Sequence, residues 1–362
     1  MRSPGSSTRP GPLARTGPLA GAGPRHRRRP SRGLTALAVA VALAASLAGC
    51  GGDSDAATTA GGGAPDGTVV VGALSNGAAT ETPLKVPEVK SLRAQLPKEV
   101  AARGTLTIGV GALPAGAAPL SYVGGDQKTL TGAEPDLGRL VAAVLGLRPE
   151  VKNSTWENMF VGVDSGRTDV LFSNVTVTEE RKRKYEFASY RQDNLAFETS
   201  RGSTWEFGGD YRRLAGRTVA VGAGTNQERI LLEWKAKLAK EGKQLTVKHF
   251  QDYNATALAL TSGRIDIYLG PNPAVAYHVA QTAKSPRPTR NAGTFSGAGT
   301  SLQGLIAATA RKDSKLAKPV AGAINHLIQN GQYAKWLAAW HLSNEAVDRS
   351  RIDPPGLPLN NS

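Results

Sequence analysis

The feature that most restricts the fold of this chain is an alternation of short apolar strands with amphipathic helices, repeated in two successive blocks. Strands that alternate with helices in this way favour parallel-type sheets with flanking helices. Two such blocks predict an α/β fold with two lobes, followed by a helical region at 316–342 that is broken at Gly331. The predicted strands lie at 105–110, 169–172, 217–222, 245–250 and 265–269, and the predicted helices at 136–147, 158–166, 178–184, 225–240 and 255–262.

The amino-terminal region carries an export pattern that ends at Cys50, the only cysteine of the chain. Eight arginines and no acidic residue precede an apolar segment at 34–48, and small residues come directly before the cysteine. About 15 apolar residues are fewer than the roughly 20 that a membrane-spanning helix needs. The pattern resembles a bacterial lipoprotein signal, which implies a signal peptide at 1–49 and a lipid on Cys50. The alternative is an ordinary buried cysteine.

The net charge of +15 would suit a nucleic-acid partner, but much of it belongs to the predicted signal peptide. The 36 basic and 29 acidic residues that follow the eight arginines leave only +7. A modestly basic exported protein needs no polyanionic partner, and no aromatic-studded strand or recognition helix is apparent. The five histidines and the lone cysteine show no metal-ligand spacing, so we expect neither a metal nor another cofactor.

The segments outside the two blocks differ in composition. Residues 50–67 have almost no large apolar side chain and are predicted to form a flexible tether. Residues 68–103 form an amino-terminal extension, and residues 346–362 form a polar tail. The lobes themselves are predicted from 104–197 plus 305–345 for the first and from 198–304 for the second.

Polar side chains with ligand-binding chemistry follow the predicted strand at 169–172. Ser173, Asn174 and Thr176 come at the carboxyl end of that strand, where open α/β sheets bind their ligands. The alternative is that they only cap the next helix. Arg181 offers a planar donor fork that matches a carboxylate, and its alternative is a solvated place in a basic run.

A second polar turn lies in the second block and joins a predicted strand to a helix amino terminus. It contains Gly224, Thr225 and Asn226. The free amides and partial positive charge of a helix amino terminus suit a carboxylate. A carboxylate that leaves water needs paired charge and full hydrogen bonding, and both turns together would supply them.

The stretch 156–190 resembles the signature of the polar amino-acid class, family 3, of bacterial extracellular solute-binding proteins. The resemblance extends over about 104–342 and implies a two-lobed periplasmic-binding-protein-like fold of type II, with the ligand in a cleft between the lobes. It also implies that Arg181, Thr176 and Asn226 hold an α-carboxylate, while Asn174 helps with the amino group. Further matches are 104–110, 219–228, 263–266, Gly132, Asp136, Asn325, Gly331, Tyr333 and Trp336.

Two departures from the family pattern concern the ligand. Where the family has an acid that pairs with the ligand's ammonium group, this chain has Pro271. Three alternatives follow. Asn272 replaces the acid by hydrogen bonding to the ammonium group, another acid such as Asp252 pairs with that group, or the ligand lacks a primary α-amino group. The usual aromatic wall is also altered, so that either Tyr122 or Trp156 is the expected stacking face, unless both belong to the core.

The resemblance implies a monomeric, lipid-anchored receptor on the extracytoplasmic face of the cell membrane. It would bind an amino-acid-like carboxylate solute by hinge closure and deliver it to the permease of an ABC transporter. Two alternatives are a lipoprotein that senses a ligand for a membrane partner, and a dehydratase-type enzyme on the same scaffold. We do not expect an enzyme, because His249 and His278 lack obvious partners and the usual cleft acid is a proline.

Overall fold

The structure, a computed structural model, describes residues 67–360. The predicted signal peptide, Cys50 with its predicted lipid, and all of the predicted tether except residue 67 lie outside this range. Within it, we find no helix that combines the length and the apolar character needed to cross a membrane.

The described chain alternates strands and helices through most of its length. The strands, in chain order, are β1 (Thr68–Val71), β2 (Thr82–Lys85), β3 (Thr105–Gly111), β4 (Tyr122–Val123), β5 (Leu130–Thr131), β6 (Arg148–Ser154), β7 (Val170–Leu171), β8 (Tyr185–Ser200), β9 (Thr218–Gly222), β10 (Thr246–Phe250), β11 (Ile267–Pro271), β12 (Thr289–Ser296) and β13 (Gly304–Arg311). The helices are α1 (Lys90–Arg93), α2 (Lys98–Arg103), α3 (Ala133–Val144), α4 (Trp156–Asp164), α5 (Asn226–Lys240), α6 (Tyr253–Thr261), α7 (Asn272–Thr282), α8 (Ala317–Gln329) and α9 (Gln332–Ala339).

One predicted helix, at 178–184, is wrong. Only a single 3-10 turn, Arg181–Arg183, forms there. Thr178 forms a parallel bridge with Leu357, and the chain enters β8 at Tyr185. Tertiary pairing on both sides therefore leaves too few residues for a longer helix.

Nine of the described strands form one mixed sheet in the order β10-β9-β11-β8-β13-β7-β3-β6, with β12 also paired to β8. Neighbours are parallel at both ends of this sheet and antiparallel around β8 and β13. The predicted α/β class is confirmed, but parallel pairing holds only for the outer strands. The reason is that β13 returns between β7 and β8 and runs against both.

The long strand β8 belongs to both halves of the sheet. Its first part pairs with β13 as far as the contact between Asp193 and Gly304. Its second part pairs with β12 from Asn194 and with β11 from Leu195. This change of partner separates a first lobe, with β3, β6, β7 and β13, from a second lobe, with β9 to β12. The boundary predicted at 197 lies inside the second part of β8.

Each lobe has its own apolar core. In the first lobe, Leu137 and Trp336 are fully buried in a cluster drawn from α3, α8, α9 and the sheet. In the second lobe, the rings of Phe197 and Phe207 stack with centroids 4.2 Å apart, and Trp234 packs against both. Burial of apolar area stabilises a fold by about 25 cal/mol per Å². These clusters therefore supply the main stabilisation.

The segment 68–103 is part of the first lobe. The β1–β2 hairpin places the side chains of Val71 and Leu84 in that lobe's core. The Gly72 amide donates to Asp136 Oδ2 of α3 at 2.7 Å, and the amide of Thr80 donates to a carbonyl at the end of α9. The extension therefore completes the packing of the first lobe.

The carboxyl-terminal tail contacts both lobes. Arg351 is hydrogen-bonded to β8 in the first lobe. The amide of Leu357 donates to the Val177 carbonyl of the first lobe at 3.0 Å, while the Leu357 side chain is fully buried in the core of the second lobe. Arg229 of α5 donates to the Pro358 carbonyl. The tail thus forms a strap across the lobe junction.

Candidate functional site

A cavity of about 410 Å³ lies between the lobes at the carboxyl ends of β3, β7 and β9. Parallel strands end at a common edge of a sheet, so polar residues that follow them meet there. The first lobe contributes Glu134, Trp156, Ser173 and Asn174 to the lining, and the second lobe contributes Thr225, Asn226, Tyr253 and Tyr268. The structure thus brings together Trp156, Ser173, Asn174, Thr225 and Asn226, which the sequence analysis selected.

The turn after β7 is held by contacts on both of its polar residues. The Ser173 hydroxyl oxygen accepts from the Gly111 amide at 2.8 Å. Asn174 has a φ of 51°, in the left-handed region that residues other than glycine seldom occupy. Its amide donates to Glu134 Oε2 at 2.9 Å, and Arg191 donates to its Oδ1. The surrounding contacts therefore impose this backbone shape.

A buried ion network lies beneath Asn174. Arg191 Nη2 lies 2.7 Å from Glu134 Oε1, and Arg191 Nη1 pairs with Glu345. These three side chains are at most 1% exposed. Burial raises the pKa of Glu345, although the Arg191 charge opposes that shift. The role of Arg191 was not predicted, because an arginine in a strand with several polar residues gives no sign of its distant partners.

The turn between β9 and α5 contacts the first lobe through one carbonyl group. Thr225 caps α5, with its hydroxyl oxygen accepting from the Glu228 amide at 3.2 Å. Gly224 adopts a φ of 71° and presents its carbonyl oxygen to the first lobe. Trp156 Nε1 and Arg181 Nη2 both donate to that oxygen, each at 3.2 Å.

Arg181 does not line this cavity. Its Nη1 donates to the Thr176 carbonyl at 3.0 Å, and its guanidinium lies 5.4 Å from the ring centre of Trp156 and 5.6 Å from that of Phe160. It faces a second, wider groove of about 910 Å³ on the other side of Trp156. Burial lowers the pKa of Arg181 to about 10, so the guanidinium stays charged at neutral pH. The contact of Arg181 with a ligand carboxylate, implied by the resemblance, stays a prediction.

The side chain of Asp193 lies where β8 crosses between the lobes. Its Oδ2 accepts from Thr176 Oγ1 at 2.7 Å and from Asn226 Nδ2 at 3.1 Å. Asp193 is only 2% exposed, and burial raises its pKa to about 6. Thr176 itself does not line the cavity. Asp193 is one of three acids in β8, and nothing in the sequence distinguished it from Glu186 and Glu198.

Two other predicted site residues lie elsewhere. The Tyr122 hydroxyl donates to the Ser75 carbonyl at 2.7 Å, and its ring packs edge-on against Trp340. Tyr122 therefore belongs to the packing of the first lobe and does not form the expected aromatic wall. Asn272 donates to Glu345 Oε1 at 3.3 Å and does not line the cavity; its substitution for the missing acid was one of the three alternatives.

The charged residues of the cavity lining are all acidic, and they are Glu134, Glu157 and Asp252. No lysine or arginine of residues 67–360 is among the lining residues. Asp252 caps α6 through a 2.8 Å bond from the Ala255 amide, and it is the acid that the sequence analysis named as an alternative to Pro271. Aromatic rings complete the lining: Trp156, Phe250, Tyr253 and Tyr268.

The aromatic wall of the second lobe is fixed by a buried acid. Tyr253 donates its hydroxyl proton to Glu198 Oε2 at 2.7 Å, and the ring of His278 pairs with the other oxygen of the same carboxylate. Burial and the Glu198 charge both raise the pKa of Tyr253, so its hydroxyl stays neutral. Nothing in the sequence around Tyr253 pointed to this role.

Comparisons with known proteins identify relatives for most of the chain. A family model for bacterial extracellular solute-binding proteins, family 3, matches residues 108–343. The L-cystine-binding protein TcyJ of Escherichia coli strain K12 is 34% identical over 175 residues, which cover 47% of this chain and 60% of TcyJ. The arginine-binding protein ArgT of Corynebacterium glutamicum is 26% identical over 335 residues, or 91% of this chain and 98% of ArgT.

A similar solved structure is that of an ancestral arginine-binding protein bound to arginine. It superposes with a TM-score of 0.56 at 25% identity, and the match covers 66% of this chain and 98% of that protein.

Proposed function

Because this chain belongs to family 3 of the bacterial extracellular solute-binding proteins, we propose that it is a receptor that captures a small solute related to amino acids and delivers it to the permease of an ABC transporter. The observation that carries this proposal is the cavity of about 410 Å³, whose lining comes from both lobes. A solute held there contacts both lobes at once. Its binding energy therefore favours the closed arrangement over an open one.

The connections between the lobes suit a hinge. The strand β8 and the segment between β12 and β13 link the two halves of the sheet. Across the mouth, Trp156 and Arg181 share a single acceptor, the carbonyl of Gly224. A few hydrogen bonds of this kind are each worth about 1 kcal/mol, which ligand binding can easily outweigh.

The lining favours a solute with a cationic group. Glu157 and Asp252 of the lining attract positive charge, whereas the charge of Glu134 is balanced by Arg191, and aromatic rings such as that of Tyr253 suit cation–π contact. Asp252 and Pro271 both belong to the lining, and Asp252 would pair with the cationic group in place of the acid that the family has at position 271. The relatives named as arginine-binding agree with this class of solute.

The receptor is proposed to act outside the cell membrane as a monomer anchored through a lipid on Cys50. The tether at 50–67 would keep it close to the permease. Two lipid chains make such anchoring stable, where a single chain would be marginal. Labelling with a radioactive fatty acid in the host tests this, and Cys50→Ser should abolish both the label and membrane retention.

The central experiment identifies the solute. Small molecules released from the purified, denatured protein are measured by mass spectrometry, and candidates are then titrated by calorimetry alongside cystine and a panel of amino acids. Small-angle scattering should show compaction on saturation. If no solute is recovered, no titration yields heat and no compaction occurs, the proposal is wrong.

A matched pair of variants places the solute in this cavity. Tyr253→Ala removes one wall and should weaken binding by tenfold or more, about 1.4 kcal/mol. Tyr211→Ala removes a tyrosine that packs on Trp234 and is not among the lining residues, and it should leave the affinity unchanged.

A further inference from the structure

Two of the three side chains that the resemblance assigns to a ligand carboxylate donate to a carboxylate of the chain itself. Thr176 Oγ1 of the first lobe and Asn226 Nδ2 of the second lobe both donate to Asp193 Oδ2, at 2.7 and 3.1 Å. Arg181 lies close enough for its charge to stabilise the Asp193 anion, and the effect is mutual. A hydroxyl and a side-chain amide thus donate to this carboxylate, while the Arg181 guanidinium donates to the carbonyls of Thr176 and Gly224 and contributes only its charge.

The backbone around Asp193 is shaped to hold its carboxylate. The Asn226 amide also donates to the Gly297 carbonyl at 2.9 Å, and the Gly297 amide donates to the Asp193 carbonyl at 2.9 Å. A side chain at Gly297 would collide with the Asp193 carboxylate, because a Cβ there would overlap its oxygen. The absence of a side chain at 297 thus makes room for this acid between the lobes.

The charges that face Asp193 argue against a second carboxylate at this place. The charges of Arg191 and Arg181 lower the pKa of Asp193, and the charge of Glu345 raises it. Arg191 is already committed to Glu134 and Glu345. A ligand carboxylate placed beside Asp193 would share the remaining charge of Arg181, and two carboxylates that share one buried site repel each other strongly.

The rest of the cavity suits the opposite charge. Its charged lining consists of acids; Glu134 is already paired with Arg191, which leaves Glu157 on the first lobe and Asp252 on the lobe that carries Asn226. Four aromatic rings surround the same space. An ammonium or guanidinium group would therefore find both paired charge and ring faces, whereas no basic side chain from the described stretch lines the cavity to meet a carboxylate.

We propose that Asp193 fills the place at which Thr176 and Asn226 would otherwise bind a ligand carboxylate, and that the cavity recognises a small organic cation through its amine or guanidine group without a contribution from a carboxylate. This inference rests on the proposed function as a solute receptor. It narrows the solute from amino acids in general to cations for which decarboxylation costs little or no affinity.

The test compares amino acids with the amines that lack only the carboxylate. The wild-type protein is titrated by calorimetry with arginine and agmatine, with lysine and cadaverine, and with glutamate as an acidic control. The expected result is that each amine binds within about tenfold of its amino acid, or more tightly, and that glutamate does not bind. A preference of more than tenfold for the amino acid of either pair would overturn the inference.

A substitution at Asp193 provides a gain-of-function test. Asp193→Ala frees the donors of Thr176 and Asn226 and leaves Arg181 without its internal anion. We expect the ratio of arginine affinity to agmatine affinity to rise by tenfold or more. An unchanged ratio in the folded variant contradicts the inference. Gln192→Ala alters the neighbouring residue of the crossing strand, whose exposed side-chain amide donates to the Ala346 carbonyl at 3.1 Å, and should leave the ratio as it is.

The outcomes separate this inference from the proposed function. Tight binding of arginine or glutamate with no binding of agmatine would keep the receptor function and reject the role of Asp193. Failure of every compound, together with no compaction in small-angle scattering, would reject the solute class and with it the inference. The wild-type comparison stands even if Asp193→Ala does not fold, and Asp193→Asn, which removes the charge and preserves the shape, then takes its place.

Discussion

Arg191 and Glu134 face each other beneath the floor of the cavity, with Arg191 Nη2 2.7 Å from Glu134 Oε1 and side chains that are 1% and 0% exposed. Glu345 binds the other side of the same guanidinium. A strand, a helix and the carboxyl-terminal region therefore depend on a single buried cation.

Removal of that cation should be costly. Arg191→Met leaves the carboxylates of Glu134 and Glu345 buried and unpaired, and we expect the free energy of unfolding to fall by about 3–5 kcal/mol. Urea denaturation followed by circular dichroism measures this loss. The same substitution at Arg351, whose exposed side chain lies 3.8 Å from Asp348, should cost less than about 1 kcal/mol. Equal losses in the two variants would contradict the importance of the buried pair.

Stability should depend on pH through Asp193. Burial raises the pKa of Asp193 from 3.8 to about 6, so the folded chain binds this proton more tightly than the unfolded chain. The ionised side chain therefore costs stability above pH 6, and that cost is lost as the pH falls towards 4. As the pH falls from 7 to 4, the free energy of unfolding of the wild-type protein should rise by up to about 3 kcal/mol relative to that of Asp193→Asn, whose amide does not titrate in this range. Denaturation midpoints at four pH values test this, and a constant difference would refute it.

The closed form should become less stable relative to the open form when Trp156 loses its hydrogen-bond donor. Trp156→Phe keeps a ring but removes the bond from Trp156 Nε1 to the Gly224 carbonyl. Such a bond is worth about 1 kcal/mol, so the ratio of closed to open forms should fall roughly fivefold. Energy transfer between dyes on the two lobes reports this ratio. Trp205→Phe removes a bond to the Arg213 carbonyl within the second lobe, and it should not shift the ratio.

The carboxyl-terminal strap should contribute to stability through one side chain. Leu357 is fully buried in the core of the second lobe, so Leu357→Ala should lower the free energy of unfolding by about 2–5 kcal/mol. Leu359, two residues further on, is 47% exposed, and Leu359→Ala should change it by no more than about 0.5 kcal/mol. Thermal unfolding of the two variants compares them directly. Similar melting temperatures would mean that the strap does not stabilise the lobe junction.

The elements with a clear local pattern were predictable from sequence. The helix predicted at 225–240 corresponds to α5, because Thr225 caps it and its apolar residues recur at helical spacing. The strand predicted at 105–110 corresponds to β3, whose first six residues are all buried. The family resemblance over 104–342 is confirmed by the family model, which matches 108–343.

Part of the candidate site could also be predicted from the sequence. The residues Ser173, Asn174, Thr225 and Asn226 follow predicted strands, and the common edge of the sheet brings them to one cavity. The placement of Arg181 was not predictable, because it depends on the Gly224 carbonyl, 43 residues away, and on the rings of α4. The choice between Tyr122 and Trp156 as the aromatic wall stayed open for the same reason, since the hydroxyl partner of Tyr122 lies in the extension at 68–103.

The amino-acid sequence by itself determined the α/β alternation, the helix boundaries set by capping residues, and the family to which the chain belongs, because each of these depends on neighbours within a few positions or on a linear pattern. Only the tertiary structure decided that Asp193 meets Thr176 and Asn226, which are 17 and 33 positions away, and that Leu357 enters the second lobe. Hydrogen bonds and ion pairs act over a few ångströms. Their partners are therefore chosen by the packing of distant segments, which no local pattern records.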